Sequence, residues 1–170
     1  MNRASARDLF SRPLFSGQAG MPLCLIDTST LIYLEKLVLL ERVVSVFSVA
    51  TIAEVIREFG CTPKGVTIYP AGEGATDRLL VQQAVRCNAV VFSEDKQVLR
   101  YADRCGLEYY NTLMIVFALY ARGEIDGNGC ASLLGRLEKF ARYDENVWTF
   151  GRRVLAELYR KNERLSPDTG

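Results

Sequence analysis

Four acids, Asp27, Glu54, Asp77 and Asp95, are the residues around which chemistry could be arranged in this chain. Each follows a different short apolar stretch: Leu23 to Ile26, Val43 to Val49, Val66 to Tyr69 and Ala89 to Phe92. If those stretches are parallel strands, their C-terminal ends share one sheet edge, and four strand-to-helix connections aim four carboxylates at one rim. Clustered carboxylates repel and raise one another's pKa values. A hard cation such as Mg²⁺ or Mn²⁺ removes that penalty, because it prefers oxygen ligands and keeps several waters. One or two such ions can activate water and steady the leaving oxygen of a phosphoryl displacement. The chain contains no histidine, which excludes Ser-His-Asp and Cys-His catalysis, histidine general bases and the usual zinc shells.

Each acid also has a plainer reading. Glu54 is the fourth residue of a Thr51-x-x-Glu capping box, and Asp77 and Asp95 open helices, where the dipole favours negative charge. Asp27 is the hardest to dismiss, since an acid that ends a buried strand is costly unless paired or bound to metal. Ser29, Thr30 and Ser93 read as helix caps or as hydrogen-bonding supports for the acids, and Asn111 equally as a cap or a site residue. Lys96, Arg78 and a terminal stripe of Arg152, Arg153, Arg160, Lys161 and Arg164 are candidates for phosphate contact. Such residues are more often solvated on helix faces. Trp148 and Phe150 read as core.

The elements that must position these acids alternate along the chain. After the strand ending at Ile26, Leu31 to Leu40 is expected as a helix with Leu31, Leu34 and Val38 on one face. Val43 to Val49 is β-branched and aromatic, and is expected as the second strand. Thr51 opens the next helix, which Gly60 and Pro63 close. The strand Val66 to Tyr69, a helix capped by Thr76, the strand Ala89 to Phe92 and a helix from Asp95 to Cys105 follow. Leu107 to Tyr110 is the fifth strand, and Thr112 to Arg122 an apolar helix ended by Gly123. Short strands alternating with helices mean an α/β fold, a three-layer α/β/α arrangement around a five-stranded parallel sheet. Two amphipathic helices, Ala131 to Arg142 and Val147 to Lys161, are expected as a C-terminal hairpin on the same domain. The organisation expected is therefore a mobile extension over 1–20, an α/β domain over 21–125 and the hairpin over 126–165, with Ser166 to Gly170 fraying.

A chain of 170 residues with 49% apolar content and a net charge of +1 fits one domain with a full core and no global basic field. Residues 1–20 hold Arg3, Arg7 and Arg12 but no continuous apolar run, so no secretory signal is expected. The five cysteines form no C-x-x-C pair and read as reduced residues of a cytoplasmic protein, and no apolar run is long enough to span a membrane.

The residues resemble PIN-domain nucleases, and a toxin-like subgroup of them in particular. The resemblance lies in Ile26-Asp27-Thr-Ser-Thr, the Glu of Thr51-Ile-Ala-Glu54, the helix-opening Asp77 and Val90-Val-Phe-Ser-Glu-Asp-Lys96. Asn111-Thr-Leu before an apolar helix, with Arg-Gly-Glu-Ile after it, adds to the likeness. It implies a sheet of order 3-2-1-4-5 and Mg²⁺- or Mn²⁺-dependent hydrolysis of RNA phosphodiester bonds by metal-activated water. Asp27, Glu54, Asp77 and Asp95 would be catalytic and metal-binding, with Ser29, Ser93, Glu94 and Asn111 in support. Asp95 is favoured over Glu94 on motif alignment, and Glu94 is the alternative ligand. RNA is the implied substrate and, as in many members, an antitoxin protein the partner; a homodimer is a further candidate assembly. A catalytically silent PIN-like module that binds RNA or protein is the second reading. A haloacid-dehalogenase-like phosphatase with Asp27 as nucleophile is the third, although Ser29 stands where those enzymes usually place a second acid.

Overall fold

Leu23, Cys24, Leu25 and Ile26 form β1 (Leu23–Ile26), the middle strand of the sheet, in a computed structural model that describes residues 6–16, 20–70 and 72–165. Cys24, Leu25 and Ile26 are fully buried, as a parallel strand covered on both faces requires. β1 pairs in parallel with β2 (Ser48–Ile52) on one side and β4 (Val90–Phe92) on the other. β3 (Thr67–Tyr69) and β5 (Tyr109–Tyr110) complete the order β3-β2-β1-β4-β5. The chain thus winds outward from β1 to β3 and then crosses back to β4, so the strand order reverses beside β1. The register sets Ile26 against Phe92, and the residues that follow β1 and β4 leave the sheet as neighbours at this switch point.

Helices α2 (Thr28–Leu37), α3 (Leu40–Val46), α4 (Ala53–Phe59), α5 (Thr76–Cys87) and α6 (Lys96–Arg104) connect the strands. α7 (Thr112–Ala121) is buried from Thr112 to Tyr120. It is hydrophobic all round because other helices cover it on several sides. α8 (Gly127–Glu138) lies on α7 and α2, while α9 (Glu145–Leu165) lies on α7 and on the short α1 (Ala6–Leu9). The two terminal helices therefore both lean on α7. Gly151 lets α9 approach closely, since a Cβ there would meet Leu113 Cδ2 at 2.8 Å.

Three expectations from the sequence need correcting. Val43 to Val46 lies in helix α3, and the second strand begins at Ser48. The spacing of the buried Leu39, Val43 and Val46 is helical, and burial of that stripe outweighs the strand preference of β-branched residues. Helix α2 stops at Leu37, because Val38 turns left-handed with φ of 57°. It is 83% exposed there, not on the buried face.

The third correction concerns the N-terminus. Residues 6–16 are not a loose tail, because Leu9, Leu14 and Phe15 are buried in the core. Phe15 sets its ring edge on Tyr110 with centroids 5.8 Å apart. Arg12 pairs with Glu108 at 2.8 Å, and Arg122 donates to the carbonyls of Pro13 and Ser16, both at 3.1 Å. Residues 1–5, 17–19 and 166–170, with the fraying expected of the last, lie outside the described residues. No helix of the described residues is long and apolar enough to cross a membrane, and all five cysteines are free.

Two substitutions test this packing. Phe15→Ala is expected to lose about 3 kcal/mol in urea unfolding, whereas a tail that packed on nothing would lose none. Val38→Gly is expected to gain about 1 kcal/mol, because glycine adopts the left-handed conformation without the Cβ clash.

Candidate functional site

Asp27 caps α2, and its Oδ1 accepts the Thr30 amide at 2.7 Å. Its position is fixed from both sides of the sheet. Its own amide donates to the Phe92 carbonyl at 3.1 Å, and Thr51 Oγ1 donates to the Ile26 carbonyl at 2.6 Å. Ser29 donates to both carboxylate oxygens, at 2.9 and 2.8 Å, and Ser93 donates to Oδ2. Each of these hydroxyls also accepts a backbone N–H, Ser29 from Glu94 at 3.2 Å and Ser93 from Asp95 at 3.0 Å. With their lone pairs engaged, both serines turn their single protons toward Asp27. Asp27 is only 6% exposed, and burial pushes its carboxyl pKa up while the three donors pull against that rise.

The acid that turns inward beside Asp27 is Glu94. Its Oε1 accepts the Thr112 amide at 2.8 Å, Thr112 Oγ1 at 2.5 Å and Thr30 Oγ1 at 3.3 Å. Tyr143, from the segment between α8 and α9, donates to Oε2. Burial raises the Glu94 carboxyl, its hydrogen bonds lower it, and the negative charge of Asp27 raises it further. Asp95, favoured from the motif, instead faces solvent and caps α6, accepting the Gln97 amide at 2.6 Å. The helix start claims its carboxylate, which leaves the preceding residue to point into the switch point.

Glu54 is 9% exposed. The expected capping box does not form, because Thr51 lies within β2 with its hydroxyl on Ile26, and Ile52 is the cap residue. Glu54 Oε1 accepts from Arg57 at 2.7 Å. Its Oε2 is buried without a hydrogen-bond partner, an arrangement that costs free energy unless something else satisfies the oxygen. Asp77, in the first turn of α5, belongs to an outer group. Its carboxyl is raised by partial burial and then by the negative charges of Asp95 and Glu58. Glu58 ties the starts of two helices to this rim, accepting from Thr28 and Thr76, each at 2.7 Å.

The acids therefore divide into an inward pair, the buried Asp27 and the half-buried Glu94, and a solvated rim of Asp77, Asp95 and Glu58, with Glu54 buried in the helix after β2. Among the described residues no three acidic, cysteine or histidine side chains converge closely enough to cage a metal ion. The all-oxygen donor set nevertheless suits a hard cation. Mg²⁺ is commonly held by one or two carboxylates, waters and substrate phosphate rather than by a protein cage. Glu94 Oε2 keeps an unused lone pair, and Glu54 Oε2 keeps both.

Of the remaining candidates, Asn111 caps α7, accepting the Met114 amide at 3.1 Å. Lys96 pairs with Asp144 at 2.7 Å. Arg152 and Arg160 pair with Glu145 and Glu157, and Lys161 sits 5.6 Å from the centre of the Phe10 ring. Two of the stripe's five basic residues are thus paired with acids, which reduces its net field. The Arg164 side chain lies outside the described residues. Trp148 and Phe150 are half-buried against the core, Trp148 edge-on to Tyr143. Glu58, Thr112 and Tyr143 were not picked out as site residues from the sequence. Glu58 could have been found from its i+4 spacing to Glu54, but no local signal marks Tyr143, 49 positions from Glu94.

No family model and no curated protein matches the chain. Among solved structures it is similar to a PilT N-terminus domain protein from the archaeon Sulfolobus solfataricus P2. The identity is 14%, with 61% of this chain and 96% of that chain covered and a TM-score of 0.42.

The inward pair has a pH signature. Because the folded state raises the Asp27 and Glu94 carboxyls, it holds protons that the unfolded chain releases. Their contribution is fully present below the unfolded carboxyl values of about 4 and is lost as pH rises through the folded values. In EDTA, Glu94→Gln is expected to flatten that fall relative to wild type across a series of urea titrations. A parallel displacement of the two curves would mean that Glu94 does not titrate this way.

Proposed function

We propose that this chain is a metal-dependent nuclease that hydrolyses RNA phosphodiester bonds. The observation that carries the reading is an acid pair at the sheet's switch point, Asp27 buried and Glu94 half-buried, accompanied on the same edge by the partnerless Oε2 of Glu54. Neither feature serves stability at neutral pH: two neighbouring like charges, one of them buried, and an unsatisfied carboxylate oxygen all cost free energy without a cation. Asp27, Glu94 and Glu54 would hold Mg²⁺ or Mn²⁺, with Asp77 and Asp95 on the rim. The cation supplies activation of water and neutralisation of charge on the phosphate.

The chain's own residues supply rigidity. Ser29, Ser93 and the Thr30 amide lock the Asp27 carboxylate, while Thr112 and Tyr143 lock that of Glu94, so neither must reorganise when a substrate arrives. Arg78, exposed next to Asp77, is the basic residue placed to meet an incoming phosphate. The resemblance extends the proposal to a toxin that acts in the cytoplasm and is restrained by an antitoxin.

That no three described acids converge favours one alternative, a catalytically silent module of the same fold that binds RNA. Calorimetry with Mn²⁺ separates the two. Wild type is expected to bind, and Asp27→Asn, Glu94→Gln and Glu54→Gln, each still folded by circular dichroism, to bind at least about tenfold more weakly. Cleavage of single-stranded RNA should fall in the same order. Failure of wild type to bind Mn²⁺, with RNA binding indifferent to EDTA, would establish the silent module instead.

A further inference from the structure

A cavity of about 330 Å³ lies between α6, β5, α7 and α9. Leu99, Leu113, Met114, Val147 and Phe150 form its apolar wall, and Asn111, Asn146, Lys96 and Arg100 its polar groups. This size stands at the lower end for ligand pockets, with an apolar lining and a few polar groups that fix orientation. Three of its lining residues lie within two positions, in the chain, of Glu94 or of the groups that hold it. Asn111 precedes Thr112, Lys96 follows Glu94 by two residues, and Asp144, which also lines the cavity, follows Tyr143. The cavity is thus lined by residues close in the chain to those that form and hold the acid pair.

Resting on the nuclease reading above, we propose that this cavity is a nucleobase subsite that receives one unpaired base of the RNA chain next to the scissile phosphate. The chemistry of the wall selects that occupant. Asn111 Oδ1 accepts the Met114 amide, which leaves the Asn111 NH₂ group without a partner among the described residues, and Asn146 makes no side-chain hydrogen bond there. Two primary amides match the donor and acceptor edges of a base, while Phe150 and the aliphatic side chains match its faces. Lys96 and Asp144 neutralise each other, so Arg100, which has no ion pair among the described residues, leaves a net positive charge for the flanking phosphate. A purely apolar anchor from a protein partner would instead strand the amide of the buried Asn111. With room for one ring system, the subsite would favour single-stranded RNA over duplex.

The test uses the full chain in EDTA, so that no metal contributes, with AMP, GMP, CMP and UMP as probes and the side-chain amide signals of Asn111 and Asn146 followed by NMR. At least one nucleotide is expected to bind and shift both amides. Asn146→Ala and Arg100→Ala, both at exposed positions, should each weaken that binding about fivefold, the scale of one lost hydrogen bond or charge contact. Leu99→Trp, which fills the cavity, should abolish it, and all three variants should keep wild-type Mn²⁺ affinity. The proposal is overturned if none of the four nucleotides shifts the amides, or if binding survives both exposed-site substitutions. It is also overturned if an apolar dye occupies the cavity and no nucleotide displaces it. Loss of Mn²⁺ binding by wild type would sink the nuclease reading alone, since the nucleotide assay is run without metal.

Discussion

A carboxylate buried at the end of the central strand is the constraint to which the rest of this molecule answers. Asp27 cannot sit there unless its oxygens are occupied, and the means of occupying them dictate local structure over a wide range of sequence. Its neighbour Ser29 must lie in the first turn of α2, and Ser93 must arrive from β4, 66 residues away. That arrival requires β1 and β4 to be adjacent, parallel and in the register that sets Ile26 beside Phe92. The order of the sheet and the chemistry of its edge are thus one requirement stated twice. The hydroxyl protons that satisfy Asp27 are themselves oriented by backbone amides, so the site is held by main chain at one remove.

The helices outside the sheet complete this arrangement by way of α7. Its first residue, Thr112, holds Glu94 through both amide and hydroxyl, and its length is buried by elements that follow it in the chain. Tyr143 links those later elements back to the acids. Its hydroxyl reaches Glu94, while its ring meets Tyr33 on α2 and Trp148 on α9. The C-terminal helices are therefore part of the site's rigidity as well as of the core.

Much of this was readable from residue order. The alternation of short apolar runs with helical periodicity was enough for a parallel sheet, and the burial cost of a carboxylate after Leu-Cys-Leu-Ile singled out Asp27. Where reading failed, a nonlocal term outweighed a local one. Val43 and Val44 favour strand by type, yet the stripe from Leu39 to Val46 closes over the core as a helix. Thr51 and Glu54 match a capping box, but pairing with β1 and β3 draws Thr51 into the sheet. Glu94 and Asp95 are adjacent acids, and the choice between them depends on which one the helix start claims, a matter of where the backbone turns from strand to helix. Leu14 and Phe15 follow a proline among small and charged residues, and nothing in their surroundings announces that Tyr110 waits for them.

That last contact bears on how the molecule is made. The described partners of the first segment all come from the second half of the chain: Glu108 for Arg12, Tyr110 for Phe15, Arg122 for the carbonyls of Pro13 and Ser16, and Lys161 for Phe10. A ribosome releases residues in order, at about 5–20 per second. Leu14 and Phe15 therefore emerge several seconds before Glu108, Tyr110 and Arg122, and most of the sheet is made before those partners arrive. During that interval Leu14 and Phe15 have no Tyr110 to pack on. Arrival of β5 and the helices after it, rather than of β1 to β4, is the event that closes this part of the core.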